Sequence, residues 1–279
     1  MRILKKIKAS KVFLYAFLGI VTVVQIYPII WMFFFSLKDN EEIFGGNVAG
    51  LPKNWLFGNY VEAWIKGNIG QYFINTLVVT ALTILGTVLF AAMAAYAISR
   101  MKWKFQKTAL TVFLLGMMIP IHAALLPLFL TYVKVGILNT YACLVLPYIA
   151  FNIPISVYIY VGFMEGIPKE MEESAFLDGC NIFKSFFRII LPMLKPVIST
   201  ITILTFINAW NEFMFASVFI TKSSMKTLTV GIQEMVGQFT TSWGPIGAAL
   251  VLASFPTLII YIFMSDKVQK GFMAGAVKG

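Results

Sequence analysis

Long apolar runs alternate with short polar segments along the chain. Six runs stand out, at roughly 12–37, 71–97, 107–132, 142–163, 194–220 and 244–265. Each carries few charges and is bounded by charged residues, glycine or proline. A bilayer core of ~30 Å needs about 20 apolar residues per helix, so every run is long enough to cross one. The runs are continuous rather than alternating, which excludes a transmembrane β-barrel. Pro28, Pro120, Pro127, Pro147, Pro154 and Pro256 lie inside or at the ends of these runs. Membrane helices accept proline because neighbouring groups satisfy the freed carbonyls. The pattern predicts an all-α membrane protein with six transmembrane helices. The first run is too long for a signal peptide, and "WMFFFSLKDN" closes it without a small-residue cleavage site. It predicts an uncleaved first helix.

Charge orients this arrangement. Only 12% of the 279 residues are charged, and the net charge is +10. In a soluble protein that excess points to nucleic acid; here the positive-inside rule accounts for it. Most lysines and arginines precede the first run, follow the last, or fall between runs two and three and between runs four and five. The alternate segments hold only Lys38, Lys53, Lys66, Lys134, Lys222 and Lys226. Both termini are therefore expected in the cytoplasm. Cys143 and Cys180 fall on opposite sides of the bilayer and cannot pair. With a lone His122 there is no disulfide framework and no metal site. No glycine is followed by lysine, so a Walker A loop is absent and the chain does not bind ATP that way.

The stretch "EGIPKEMEESAFLDGCNIFKSFFRIILP", residues 165–192, collects five of the twelve acids in the chain. Pro168 suits the first position of a helix. Glu170, Glu172 and Glu173 then lie where carboxylates complement the helix dipole. Gly179 suits the position just past a helix end, and Asn181 can cap a second helix. That second helix, "IFKSFFRIIL", should bury Ile182, Phe186, Ile189 and Ile190 on one face and end at Pro192. The segment reads as two short helices joined by a Gly-Cys-Asn turn on the cytoplasmic face. It is either a solvated loop beside an interfacial helix or a preformed docking element.

This segment resembles the EAA loop of ATP-binding-cassette importer permeases. Glu173, Ser174 and Ala175, then Gly179, then Ile189, Leu191 and Pro192 match that pattern in type and spacing. Asp178 sits beside the turn glycine; Ser174 is the one departure, in place of alanine. The stretches "YPIIWMFFFSLK", "NYVEAW", "NTLVVT", "AAYAISRMKW", "GILNTYACLVLPY", "NAWNEF" and "GFMAGAVKG" are similar to the carbohydrate-uptake subfamily, which includes the smaller permease of the maltose system. The resemblance implies a type I importer fold, with a cytoplasmic coupling helix between helices 4 and 5. It places Glu173, Ser174, Ala175, Asp178, Gly179, Ile189, Leu191 and Pro192 in the coupling element. It also implies a homologous second permease, two ATP-binding subunits and an extracytoplasmic solute-binding protein. ATP and magnesium would lie on the partner subunits, and no cofactor on this chain.

By the same reading residues 1–70 form the N-terminal segment, first helix and outer loop. Residues 71–265 form the permease domain, and 266–279 a cytoplasmic tail that in the family can reach the ATPase interface. "NYVEAW" predicts a short helix, and the resemblance to the maltose system implies that the outer loop 221–243 reaches toward the binding protein. In helix 5, Asn208, Trp210, Asn211 and Glu212 combine an aromatic face with planar polar groups, the chemistry that recognises sugars. Asn208, Asn211 and Glu212 would share one helical face. A carboxylate at membrane depth is costly and should face protein or water. These residues either line the translocation path or bond to the second permease. Asn152, two residues before Pro154, is a further path candidate or a helix break. His122 is read as structural. The rival solute class is a non-sugar substrate. A secondary carrier would need ionisable groups in several runs, and a membrane enzyme clustered catalytic residues; neither pattern is present.

Overall fold

The computed structural model describes the backbone of residues 9–237 and 241–276, and the side chains of 11–237 and 241–263. The basic residues before Ala9, the side chains of the C-terminal tail and part of the 221–243 loop lie outside the described residues. In chain order the helices are α1 (Ala9–Phe35), α2 (Asn40–Phe44), α3 (Gly58–Ile65), α4 (Ile69–Ser99), α5 (Gln106–Gly116), α6 (Leu125–Val135) and α7 (Ala142–Met164). Then follow α8 (Glu170–Leu177), α9 (Ile182–Ser185), α10 (Leu191–Met193), α11 (Lys195–Trp210), α12 (Met214–Phe219), α13 (Leu228–Glu234) and α14 (Trp243–Ala276). No strand occurs among the described residues.

Four helices, α1, α4, α7 and α14, are long and apolar enough to cross a membrane. The number rises to six if each of two bent pairs is one span. The third apolar run was expected as one straight helix. Instead α5 stops at Gly116, a 3₁₀ turn covers Ile121–Ala124, and the two arms meet at 90°. Pro120 explains the break: it has no N–H to donate and is extended, with φ −63° and ψ 124°. His122 lies in that turn. The second bent pair is Ile182–Met193 with α11, meeting at 77°; separately, α11 ends at Trp210 and the chain re-enters helix only at Met214. Elsewhere proline is absorbed: Pro28, Pro147, Pro154 and Pro256 sit inside continuous helices. Asn152 therefore marks no break. The predicted "NYVEAW" helix is α3, and α14 runs on past the expected end at 265.

The chain divides into two compact units, Met1–Ile69 with Ile232–Ser254, and Gly70–Gly231 with Phe255–Gly279. In the first, α1 leaves its apolar side chains largely exposed, as a lipid-facing helix does. Past its end the chain is held by polar contacts. Lys38 is fully buried, and its Nζ donates to the carbonyls of Asn47 and Gly50, both at 2.6 Å, and of Val48 at 3.3 Å. Burial lowers its pKa, against the opposing pull of the Glu42 carboxylate. Asn59 donates to the carbonyls of Ser36 and Lys38, and Asn40 accepts from the Trp243 N–H at 2.9 Å. The start of α14 packs close to these groups. A Cβ on Gly244 would sit 2.1 Å from the Lys38 carbonyl, so only glycine permits the approach.

The second unit has two apolar cores, both crossed by α7. One gathers Ala91 and Ala95 of α4, Val157 and Met164 of α7, and Phe186, Ile190 and Ile201. The other gathers Val79, Leu144, Tyr148, Phe215, Phe219 and Val230. We name the two ends of this unit by Arg100 and Asn139. At the Asn139 end the backbone is pinned by asparagines. Asn75 is fully buried; it donates to the carbonyls of Ser224 and Lys226, and accepts from Tyr141 Oη at 2.9 Å and Gln71 Nε2 at 3.0 Å. Asn139, at φ +59°, accepts from the N–H groups of Thr221 and Lys222, both at 2.7 Å. Asn75→Leu keeps the branched shape but strands two carbonyls. It should lower stability by about 2–4 kcal/mol and release the 223–227 loop, read as a lower melting temperature and faster proteolysis there.

Candidate functional site

Two regions of the second unit hold the sequence-predicted site residues. At the Arg100 end, α8 begins at Glu170 rather than at Pro168, which lies ahead of the helix. Lys169 already has helical torsions, φ −70° and ψ −25°, so the proline precedes the first turn instead of opening it. The carboxylates of Glu170, Glu172 and Glu173 do fall in that turn, where the unsatisfied N–H groups favour them. The helix ends at Leu177, with Asp178 as its cap. Gly179 follows at φ +81°, a conformation that penalises any side chain, and the Cys180 N–H closes on the Ala175 carbonyl at 2.9 Å. Asn181 then caps the next helix through its Oδ1, which accepts from the Lys184 N–H at 2.9 Å.

That next helix departs from the expected single regular piece. Between α9 and α10 the chain makes a π turn over Phe186–Ile190. Pro192 cannot donate back to the preceding turn, and the ladder shifts register. The helix also runs past Pro192 to Met193 before turning into α11. The shift redistributes the expected apolar face: Phe186 and Ile190 are buried, Ile189 and Leu191 pack partly against the same core, and Ile182 is exposed. On α8, Glu172 and Ala175 point inward, while Met171, Glu173, Ser174, Leu177 and Asp178 face outward. Leu177 is 90% exposed. A short helix thus presents an exposed Leu177 together with the outward Glu173 and Asp178.

The second region is the interruption of the fifth apolar run. Because α11 ends at Trp210, Glu212 does not continue the face of Asn208 and Asn211. Its carboxylate turns to the start of α12 instead. Oε1 accepts from the Phe215 N–H at 2.8 Å and Oε2 from the Ala216 N–H at 3.1 Å. The Tyr148 hydroxyl donates to the same carboxylate. Treating residues 194–220 as one helix hid this role. Asn208 Nδ2 donates to Asn152 Oδ1 at 2.9 Å, and Asn152 Nδ2 to the Tyr148 carbonyl at 2.8 Å. Trp210 is buried, stacked on Phe206 with centroids 5.2 Å apart and edge-on to Phe73 at 5.4 Å. Asn208 and Asn211 are exposed beside it. The structure therefore joins Asn152 to Asn208 near an unwound stretch of backbone, while Trp210 packs separately against Phe73 and Phe206. No cluster able to hold a metal ion occurs among the described residues.

Residues 87–273 match the family model of the binding-protein-dependent transport system inner membrane component. The chain belongs to this family. It is 37% identical over 97% of its length to the probable ABC transporter permease protein YurM of Bacillus subtilis, covering 89% of that protein. It is 34% identical over 99% of its length to a probable starch degradation products transport system permease protein, AmyC of Thermoanaerobacterium thermosulfurigenes, covering all of it. It is 32% identical over 94% of its length to a sulfoquinovosyl glycerol transport system permease protein, SmoH of Agrobacterium fabrum, covering 92%. In fold it resembles a chain of a bacterial ABC transporter that imports the polysaccharide alginate. The TM-score is 0.81 at 23% identity, covering 93% of this chain and 97% of that one. The protein is thus a membrane-embedded transport component, and its helical architecture is that of ABC importer permeases.

Glu212→Ala removes the acceptor for two helix-start N–H groups and the partner of a buried tyrosine. It should cost about 1–2 kcal/mol, seen as a lower melting temperature in detergent. Glu212→Gln, which keeps one acceptor oxygen, should lose less.

Proposed function

We propose that this chain is a permease subunit of an ATP-driven importer of sugars or oligosaccharides, resident in the bacterial cytoplasmic membrane with both termini inside. The observation that carries this reading is the family match over residues 87–273, which contains the whole 165–192 segment. Near-full-length similarity to permeases named for starch degradation products and for sulfoquinovosyl glycerol supports the solute class. The partners are a homologous second permease, two ATP-binding subunits and an extracytoplasmic solute-binding protein; ATP and magnesium belong to the ATP-binding subunits.

In this reading α8 is the coupling helix and the Arg100 end is cytoplasmic. Glu173, Ser174 and Asp178 meet the rim of a groove on the ATP-binding subunit, and Leu177 enters it. Ala175 allows α8 to seat closely on its base, and Gly179 sets the turn. Ile189, Leu191 and Pro192 fasten the segment to the bundle. Closure of the ATP-bound dimer moves α8, and the two permeases rock from inward-facing to outward-facing. Energy enters only through contacts that differ between those states. Asn208 and Asn211, beside the gap between α11 and α12, form one wall of the path, and the buried Asn152 and Trp210 support it from within. Glu212 holds that gap open by capping α12.

Leu177→Asp tests the docking surface without disturbing internal packing, since the side chain is almost wholly exposed. ATP-binding subunits should bind the permease roughly 30-fold more weakly, the loss typical of a central interface residue. Insertion and thermal stability should stay unchanged. Full retention of the ATP-binding subunits would overturn the assignment of α8.

A further inference from the structure

A lever transmits movement only if its base is fixed, and the base of α8 is not fixed by packing alone. A cavity of about 650 Å³ opens between the α4 end and α8–α9, lined by Tyr96, Arg100 and Trp103 on one side and Glu172, Phe176 and Ile182 on the other. Across it runs one polar tie. Arg100 follows the last residue of α4, and its side chain is 5% exposed. Its Nη2 donates to the carbonyls of Met164 at 2.5 Å and Ile167 at 2.7 Å. Met164 is the last residue of α7 and Ile167 lies just past it, where the helix dipole favours a cation. Its Nε lies 3.4 Å from Oε2 of Glu172, which is 8% exposed. Tyr96, one turn back on α4, lies beside the same carboxylate and packs its ring on Phe186 at 5.2 Å. One guanidinium thus joins the ends of α4 and α7 to α8.

We propose that Arg100 and Glu172 are positioning residues, a buried latch that makes α8 move as one body with the ends of α4 and α7. The proposal rests on the reading of α8 as the coupling helix. It divides the two adjacent glutamates by role: Glu173 faces outward to the partner, whereas Glu172 turns inward and holds the lever. A planar fork that reaches two carbonyls and a carboxylate together requires arginine, because an ammonium cannot span that geometry. Removing one partner leaves the other charge buried and unpaired, whereas replacing both by apolar side chains does not.

The test uses the whole complex purified from its native membranes and reconstituted in proteoliposomes. Cys143 and Cys180 are replaced by serine, and Ile207→Cys, one turn before Asn211 on the side of α11 read as facing the path, reports conformation through labelling by a membrane-impermeant maleimide. Three readouts are taken: ATP-binding subunits retained, ATP hydrolysed, and the change in labelling rate on adding ATP. Glu172→Gln and Arg100→Lys should retain the subunits and hydrolyse ATP. Their ATP-driven labelling change should fall about 5- to 150-fold, the range of a typical coupling loss. The double variant Arg100→Met/Glu172→Leu should be no worse than Arg100→Met alone, because the contact that Glu172 supplies is already lost there. An unaltered labelling change in Glu172→Gln would overturn the latch. Loss of the subunits from Glu172→Gln, as expected of Leu177→Asp, would also overturn it and make Glu172 part of the docking surface. Retention of the subunits by Leu177→Asp would instead remove the reading of α8, a separate outcome.

Discussion

Where a helix stops inside a membrane protein, its backbone groups must find partners within the protein, because lipid offers none. The architecture of the second unit follows from how that demand is met. At the end of α7 and just past it, Arg100 donates to the carbonyls of Met164 and Ile167. At the start of α12 the open N–H groups are taken by Glu212. At the Asn139 end, Asn75 and Asn139 take both kinds. Each solution uses one long or planar polar side chain with several bonds. Such residues tolerate little change, since each serves more than one backbone group.

These same stops are where the protein has something to do. The gap between α11 and α12 exposes Asn208 and Asn211 beside a buried Trp210. The stop after α7 sends the chain into α8, whose outer face ends in an almost fully exposed leucine. A regular helix presents only side chains, whereas an interrupted one presents a turn, a cap and a new direction. In the proposed cycle one interruption shapes the path and the other receives the drive.

Much of this was legible in the order of residues. The apolar runs predicted the helices, and Gly179 and Asn181 predicted the turn and cap of the 165–192 segment, because each of those signals is local. The breaks were less visible. Pro120 bends one run by 90°, while Pro147 and Pro154 leave α7 continuous. The difference lies in tertiary support, which a single run of sequence does not show. Glu212 was legible as costly and therefore paired, but its partners are backbone groups of a helix start that hydrophobicity conceals. Arg100 was visible only as one of many basic residues in "AAYAISRMKW". Its three partners lie more than sixty positions away, and no local pattern joins them.

The central claim is that α8 and the end of α4 form one rigid body through the Arg100–Glu172 contact. The most direct measurement is a pulsed electron–electron distance between spin labels at Glu170 on α8 and Met93 on α4, in the assembled complex with Cys143 and Cys180 replaced. The account predicts a single narrow distance, unchanged between the nucleotide-free and ATP-bound states. A distribution that shifts or broadens on adding ATP would contradict it.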